Sequence, residues 1–199
     1  MINPWVLVCV IGGLIHSSPV LAADADSTIA DLVTRVRANK KCIRCNLSNA
    51  DFHDSDVSGF FLQGSVLEQA NFTGANLRRT NFYKVKAQSA NFSGADMEEA
   101  TLENADLAGS RFVNARLVHT NLKQANLAGA DLTGADMRTA YLEGAFLQGA
   151  NLSAVNLQNG SLYGANLQDV QWEGARLDGT YWNDGRQCGP GSIGVCLSP

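Results

Sequence analysis

From Leu47 to Trp182 the chain keeps one frame of five residues. Every fifth position is large and apolar, beginning Leu47, Phe52, Val57, Leu62 and ending Leu167, Trp172, Leu177, Trp182; among these 28 centres only Ala87 is small. Two residues before the centre stands a small side chain, Ala in 16 of the 28 cases; one before stands Asn or Asp, again in 16; two after stands Gly, in 12. A period of five fits neither the 3.6 of a helix nor the 2 of a strand. Each pentapeptide is therefore expected to form a short straight side followed by a corner. The centre and the small residue would face inward, and backbone groups would pair with the turns above and below. Gly supplies the left-handed backbone a tight corner needs, and Asn or Asp can bond nearby backbone groups there.

The number of sides follows from a second period. Phe52, Phe72, Phe92 and Phe112 recur every 20 residues, so four pentapeptides per turn would stack the phenyl rings directly above one another. Such stacks are favourable by about 0.5–1.5 kcal/mol per pair beyond burial. The 28 pentapeptides then make seven coils, about 34 Å long at one strand spacing per coil. The expected fold class is an all-β solenoid with a short N-terminal capping helix.

The repeated unit, seen as Ala75-Asn76-Leu77, Ala105-Asp106-Leu107, Ala125-Asn126-Leu127 and Ala130-Asp131-Leu132-Thr133-Gly134, resembles the A-[DN]-L-x-x signature of the pentapeptide-repeat family. That resemblance implies a right-handed quadrilateral β-helix over 45–184. Exported members with a Cys-x-x-Cys before the first repeat and a cysteine-closed tail are similar.

Four segments are expected: a signal peptide at 1–22, a capping helix with Cys-x-x-Cys at 23–44, the repeats at 45–184 and a tail at 185–199. Residues 5–15 are an apolar run of signal-peptide length, and Val20 and Ala22 fit the small-residue rule of a cleavage site after Ala22. The run is shorter than the roughly 20 residues that span a bilayer, so no membrane insertion is expected after cleavage. The n-region carries no Lys or Arg. The expected location is a periplasm, a thylakoid-type lumen or the exterior.

A solenoid has two raw ends, and each needs cover. Ile29, Leu32, Val33 and Val36 are spaced as one face of a helix over 27–38, with Asp26 and Asp31 early and Arg35 and Arg37 late, as the helix dipole favours. Once Cys9 leaves with the signal, Cys42, Cys45, Cys188 and Cys196 remain. The two clusters lie at opposite ends, far beyond the ~7 Å limit of a bridge, so Cys42 is expected to pair with Cys45 and Cys188 with Cys196. Buried free thiols are the alternative for the first pair, because Cys45 occupies an inward slot; a redox role for Cys42 and Cys45 is another.

Composition narrows the chemistry. The net charge is -4 and charged residues make up 17%, which argues against a general nucleic-acid surface. The frame never breaks, so no inserted loop builds a pocket. His16, His53 and His119 lie in the signal, the first coil and the fourth coil. No catalytic residue, cofactor or metal is expected, and Asp51, His53, Asp54 and Asp56 read as a solvated corner more readily than as a cation site. With sides numbered by the 20-residue turn, side four carries Phe61, Tyr83, Tyr141, Tyr163 and Tyr181 outward, which includes all four tyrosines. Exposed Tyr and Phe are typical of contact surfaces, so these five are the candidate partner-binding residues. Side three alternates in charge, from Arg78 and Arg79 through Asp96, Glu98, Glu99, Arg116, Asp136 and Arg138 to Arg176 and Asp178. The leading reading is a non-enzymatic exported scaffold that binds protein, with a homodimer also available. The resemblance offers a second, a DNA-mimicking topoisomerase-protecting protein, against which the mixed charges of side three count. A thiol-redox protein using Cys42 and Cys45 is the third.

Overall fold

The computed structural model describes residues 28–198; the signal-peptide reading, with Cys9 and His16, lies outside the described residues. One helix, α1 (Ile29–Asn39), precedes the repeats. From Lys41↔Phe61 to Ser161↔Tyr181, every parallel bridge joins residue i to residue i+20. Four pentapeptides therefore close each turn, and the coils run 45–64, 65–84 and so on to 165–184.

The hydrogen bonds of one pentapeptide explain its sequence. In Ala70–Gly74, Ala70 N–H closes a turn on Leu67 O (3.0 Å), Asn71 N–H donates to Ala50 O on the coil before (2.9 Å), and Phe72 and Gly74 N–H donate to Asn91 O and Ser93 O on the coil after (2.7 and 2.9 Å). That leaves one N–H, on Thr73, and the Asn71 side chain accepts it through Oδ1 (3.1 Å). All 16 Asn or Asp residues at this place make the same bond to the residue two on. The preference for Asn or Asp is thus a preference for a short acceptor that completes the backbone's bonding, as Asx turns do.

The corner two residues after each centre has positive φ at 27 of the 28 positions, all but Asp184, although only 12 carry Gly. This is the place where a type II turn needs a left-handed residue. Fifteen non-glycine residues accept that conformation, nearly all of them held by ladders to the neighbouring coils. At Gly134 the requirement is also spatial: a Cβ there would stand 2.5 Å from Asn114 Oδ1 on the coil before.

The interior is apolar and regular. The centres and small slots are almost all fully buried. Phe52, Phe72, Phe92 and Phe112 stack at 5.0, 5.1 and 4.9 Å between centroids, with planes within 7° of parallel. Phe82 meets Phe72 and Phe92 edge-on at 5.9 and 6.0 Å. Hydroxyls in the small slots do not go unpaired: Thr80, Thr120 and Thr180 donate to Val57, Met97 and Leu157 carbonyls at 2.8, 2.9 and 2.7 Å. This satisfies the rule that a buried polar group must keep a partner.

The ends are closed differently. Thr28 and Asp31 form a capping box at the start of α1, and Arg37 stands in its last turn. Val33 and Val36 are buried against the first coil, and Arg37 lies 5.8 Å over the Phe52 ring. Ile29 departs from the expected apolar face, being 40% exposed. It borders a shallow groove with Arg37, Asn49 and Asp51 instead of entering the core. At the other end the tail folds back antiparallel on the last coil, pairing Gln187 with Tyr181 and Ile193 with Arg176.

Candidate functional site

Side four presents two outward columns, one on each flank of its buried centres. The first runs Phe61, Asn81, Thr101, Asn121, Tyr141, Ser161, Tyr181, each paired to the next. Tyr83 and Tyr163 belong to the second. The structure divides the five expected aromatics into two groups. Phe61 and Tyr83 stand on the first two coils; Tyr141, Tyr163 and Tyr181 stand on the last three, with Thr101, Glu103, Asn121 and Lys123 between. Tyr163, Tyr181 and Tyr141 are 60%, 50% and 43% exposed, whereas Tyr83 is half-buried. The exposed tyrosines on consecutive coils are therefore the C-terminal trio.

Its edges are fixed. Lys123 Nζ lies 5.3 Å over the Tyr141 ring and 3.6 Å from Glu143, joining a cation–π contact to an ion pair. The tail passes against Tyr163, leaving a Cβ at Gly185 only 3.3 Å from its ring. The tyrosines thus project from a ladder whose backbone is bonded above and below. They supply large rigid contact area with little side-chain entropy to lose on binding.

The other candidate residues are placed separately. Cys42 is bonded to Cys45 and Cys188 to Cys196, with Cα atoms 5.6 and 4.9 Å apart. The buried Ser65 hydroxyl donates to Cys42 O (2.6 Å) and accepts Cys45 N–H (3.0 Å), so the second coil holds both ends of the Cys-x-x-Cys turn. Nothing in the sequence pattern pointed to that serine except its small inward slot. At the acidic corner, Asp51 takes the His53 ring at 2.9 Å and Asn71 Nδ2 at 3.0 Å, while Asp56 takes Asn76 Nδ2 at 3.1 Å. The His53 bond holds the Asp51 carboxyl below the usual carboxylate range. These carboxylates are committed to different partners, and no metal-ligating cluster is assembled among the described residues.

On side three the alternating signs become one ladder over four coils. Glu98 is gripped by both Arg78 and Arg116, Arg79 bonds Glu99 at 2.7 Å, and Arg138 bonds Asp136 at 2.7 Å. Glu98, mainly through Arg116, and Asp136, mainly through Arg138, are held below their ordinary pKa values. This face is paired within itself. Four apolar residues that sequence reasoning did not single out are more exposed than most: Phe146 at 53%, Ile193 at 60%, Val195 at 56% and Leu197 at 44%. Phe146 could have been noticed, because it replaces Asn or Asp in the column before a centre; the other three depend on the path of the tail.

A four-sided coil, five residues per side, with an Asx-closed corner and a stacked apolar interior defines a solenoid built from pentapeptides. The chain belongs to the pentapeptide-repeat family: residues 41–112 match its pentapeptide repeat region and residues 120–159 match eight copies of the pentapeptide repeat. Its fold is the family's right-handed quadrilateral β-helix. Among solved structures it is similar to HetL, a pentapeptide repeat protein involved in heterocyst differentiation regulation in the cyanobacterium Nostoc sp. strain PCC 7120, at 22% identity over 79% of this chain and 98% of that one (TM-score 0.35). It is similar to trypsin-treated QnrB1, a plasmid-mediated fluoroquinolone resistance protein, at 23% identity over 69% and 82% (TM-score 0.49). A pentapeptide repeat protein of the Arabidopsis thaliana thylakoid lumen, AT2G44920, is 30% identical over 61% and 72% (TM-score 0.25). No curated protein matches.

Proposed function

We propose that this chain is an exported, non-enzymatic scaffold that docks a protein on the Tyr141–Tyr163–Tyr181 patch of side four. One observation carries the reading: three tyrosines, each more than two-fifths exposed, stand on three consecutive coils of side four. Aromatic anchors on a rigid frame are what a protein interface uses for most of its binding energy. The unbroken frame supports the non-enzymatic part, since between residues 45 and 184 every turn is a corner of the same solenoid. The signal-like N-terminus and the two disulfides support export, because such bonds persist in oxidising compartments.

The test has two arms. Intact mass of the protein from its native host should show a chain beginning at Ala23, lighter than its reduced form by two hydrogens per disulfide; a full-length reduced chain would remove export. In the second arm, partner capture from the same compartment is compared between the protein and a Tyr141→Ala/Tyr163→Ala variant. The double change is expected to lower capture at least tenfold while the melting temperature stays put. Equal capture by both would move the docking face elsewhere.

A further inference from the structure

The tail bonds to the seventh coil on sides three and four, and on the other two it only overlies the end of side two, where Gly194 lies against Trp172 O and Gly174 N. On sides three and four the tail supplies what an eighth coil would: Leu177 N–H donates to Ser192 O (2.8 Å), Gly179 N–H to Cys188 O (2.9 Å) and Trp182 N–H to Arg186 O (2.8 Å). After Gly194 N–H bonds Ala175 O (2.8 Å) the tail turns back, with Gly189 N–H bonding Leu197 O (2.8 Å). On sides one and two the corresponding donors are Leu167, Asp169, Trp172 and Gly174. Their counterparts one coil earlier, Leu147, Gly149, Leu152 and Ala154, each bond the next coil at 2.7–2.9 Å. In the seventh coil none of these four N–H groups has a hydrogen-bond partner among the described residues. Below them the core surfaces: Leu167, Val170 and Trp172 are half-buried where their equivalents elsewhere are covered.

We infer that this half-edge accepts an extended basic and apolar segment of another polypeptide by strand addition, completing the turn the tail begins. Three structural features select that occupant. The tail itself pairs antiparallel with the adjoining half of the same edge, so an edge built for parallel neighbours takes an added strand in practice. The requirement is for a row of carbonyl acceptors with apolar side chains directed onto Leu167, Val170 and Trp172, which an extended peptide provides and a helix does not. Asp169 and Glu173, both exposed and in no ion pair among the described residues, stand beside the four donors, so the segment carries Lys or Arg. An exposed edge of this kind is ordinarily blunted by charge or covered. Here the acidic pair deters another acidic strand, including a second copy of this edge, and leaves a basic one favoured. The site is separate from side four, and each reading stands or falls alone.

Sides one and two of the last coil span ten residues, 165–174, which sets the probe length. The test uses the oxidised protein and a blocked ten-residue peptide of alternating valine and lysine, with a valine–glutamate peptide as its counterpart. Amide NMR should show shifts and slowed hydrogen exchange at Leu167, Asp169, Trp172 and Gly174 on adding the lysine peptide. The glutamate peptide should bind at least tenfold more weakly, and Asp169→Asn/Glu173→Gln, which keeps both shapes, should erase that difference. Absence of shifts at millimolar lysine peptide, or shifts confined to other coils, overturns the site. Equal binding of the two peptides overturns the basic occupant. Protection of the same four amides that grows with protein concentration without peptide, with a dimer in sedimentation, assigns the edge to a second copy and overturns the proposal.

Discussion

At the scale of the residue, the pentapeptide is a complete solution to backbone hydrogen bonding. Four of its N–H groups find carbonyls, and the fifth finds the Asn or Asp two residues before it. Both residue types serve because only an acceptor is required there. Asn151, whose side chain accepts Ser153 N–H at 3.0 Å, isolates the effect. Asn151→Ala should cost about 0.5–1.5 kcal/mol, the net worth of a hydrogen bond, while Asn151→Asp should leave the urea midpoint nearly unchanged. Equal losses in both variants would show that the amide donor, not the acceptor, matters. The acceptor's role was half legible in the sequence: the preference for Asn or Asp was plain, its one backbone partner was not. The corners carried a weaker signal still, since Gly marks only 12 of the 27 left-handed corners. Lys84, Thr139 and Ala154 adopt the same φ because the ladders on either side dictate it.

At the scale of the element, the sides differ in how they hold neighbouring coils together. Side two uses the phenyl stack, which the 20-residue recurrence of Phe makes legible in the sequence. Side three uses the Arg–carboxylate ladder, whose alternation was visible in the sequence but whose hub, Glu98 between two guanidinium groups, emerges only with the coils aligned. Its carboxylates have lowered pKa values in the folded state. Their contribution is therefore complete above about pH 5 and is lost as acid takes the pH down through the folded-state values, where the unfolded chain has already bound its protons. The melting temperature should fall between about pH 5 and pH 2, and Glu98→Gln/Asp136→Asn should flatten that fall. An unaltered slope in the variant would assign acid sensitivity to other carboxylates. High salt should weaken the effect, because the arginine partners Arg116 and Arg138 are open to solvent screening. The half-burial of Tyr83 and the exposure of Ile29 escaped the sequence for one reason. Both depend on how far apart coils lie and where a helix ends, which periodicity alone does not specify.

At the scale of the whole molecule, stability in a solenoid is close to a sum over neighbouring coils, so its weak places are its ends. The tail is tied by Cys188–Cys196 and lies on the last coil by hydrogen bonds over half its edge. Reducing that bond should destabilise the C-terminal coil by about 2–3 kcal/mol in the chain-entropy model. Hydrogen exchange should then quicken at Leu177, Gly179 and Trp182 and leave Leu107 and Phe112 protected. Uniform acceleration along the chain would mean that the seven coils melt as one unit. The interior, the four sides and the order of the coils were readable from residue spacing alone. The route of the tail was not, because it breaks the five-residue frame, and the half-edge it leaves open went unread with it.

The fixed count of 20 residues per turn also makes direction a property of chain length. Adding or removing a full turn shifts everything downstream by one stacking distance, about 5 Å, and leaves its compass bearing unchanged. Inserting a single pentapeptide between coils four and five would instead swing Tyr141, Tyr163, Tyr181 and the tail a quarter-circle round the axis, to a face where Phe61 and Tyr83 no longer share their heading. Five residues would change where the molecule looks; twenty would change only how far it reaches.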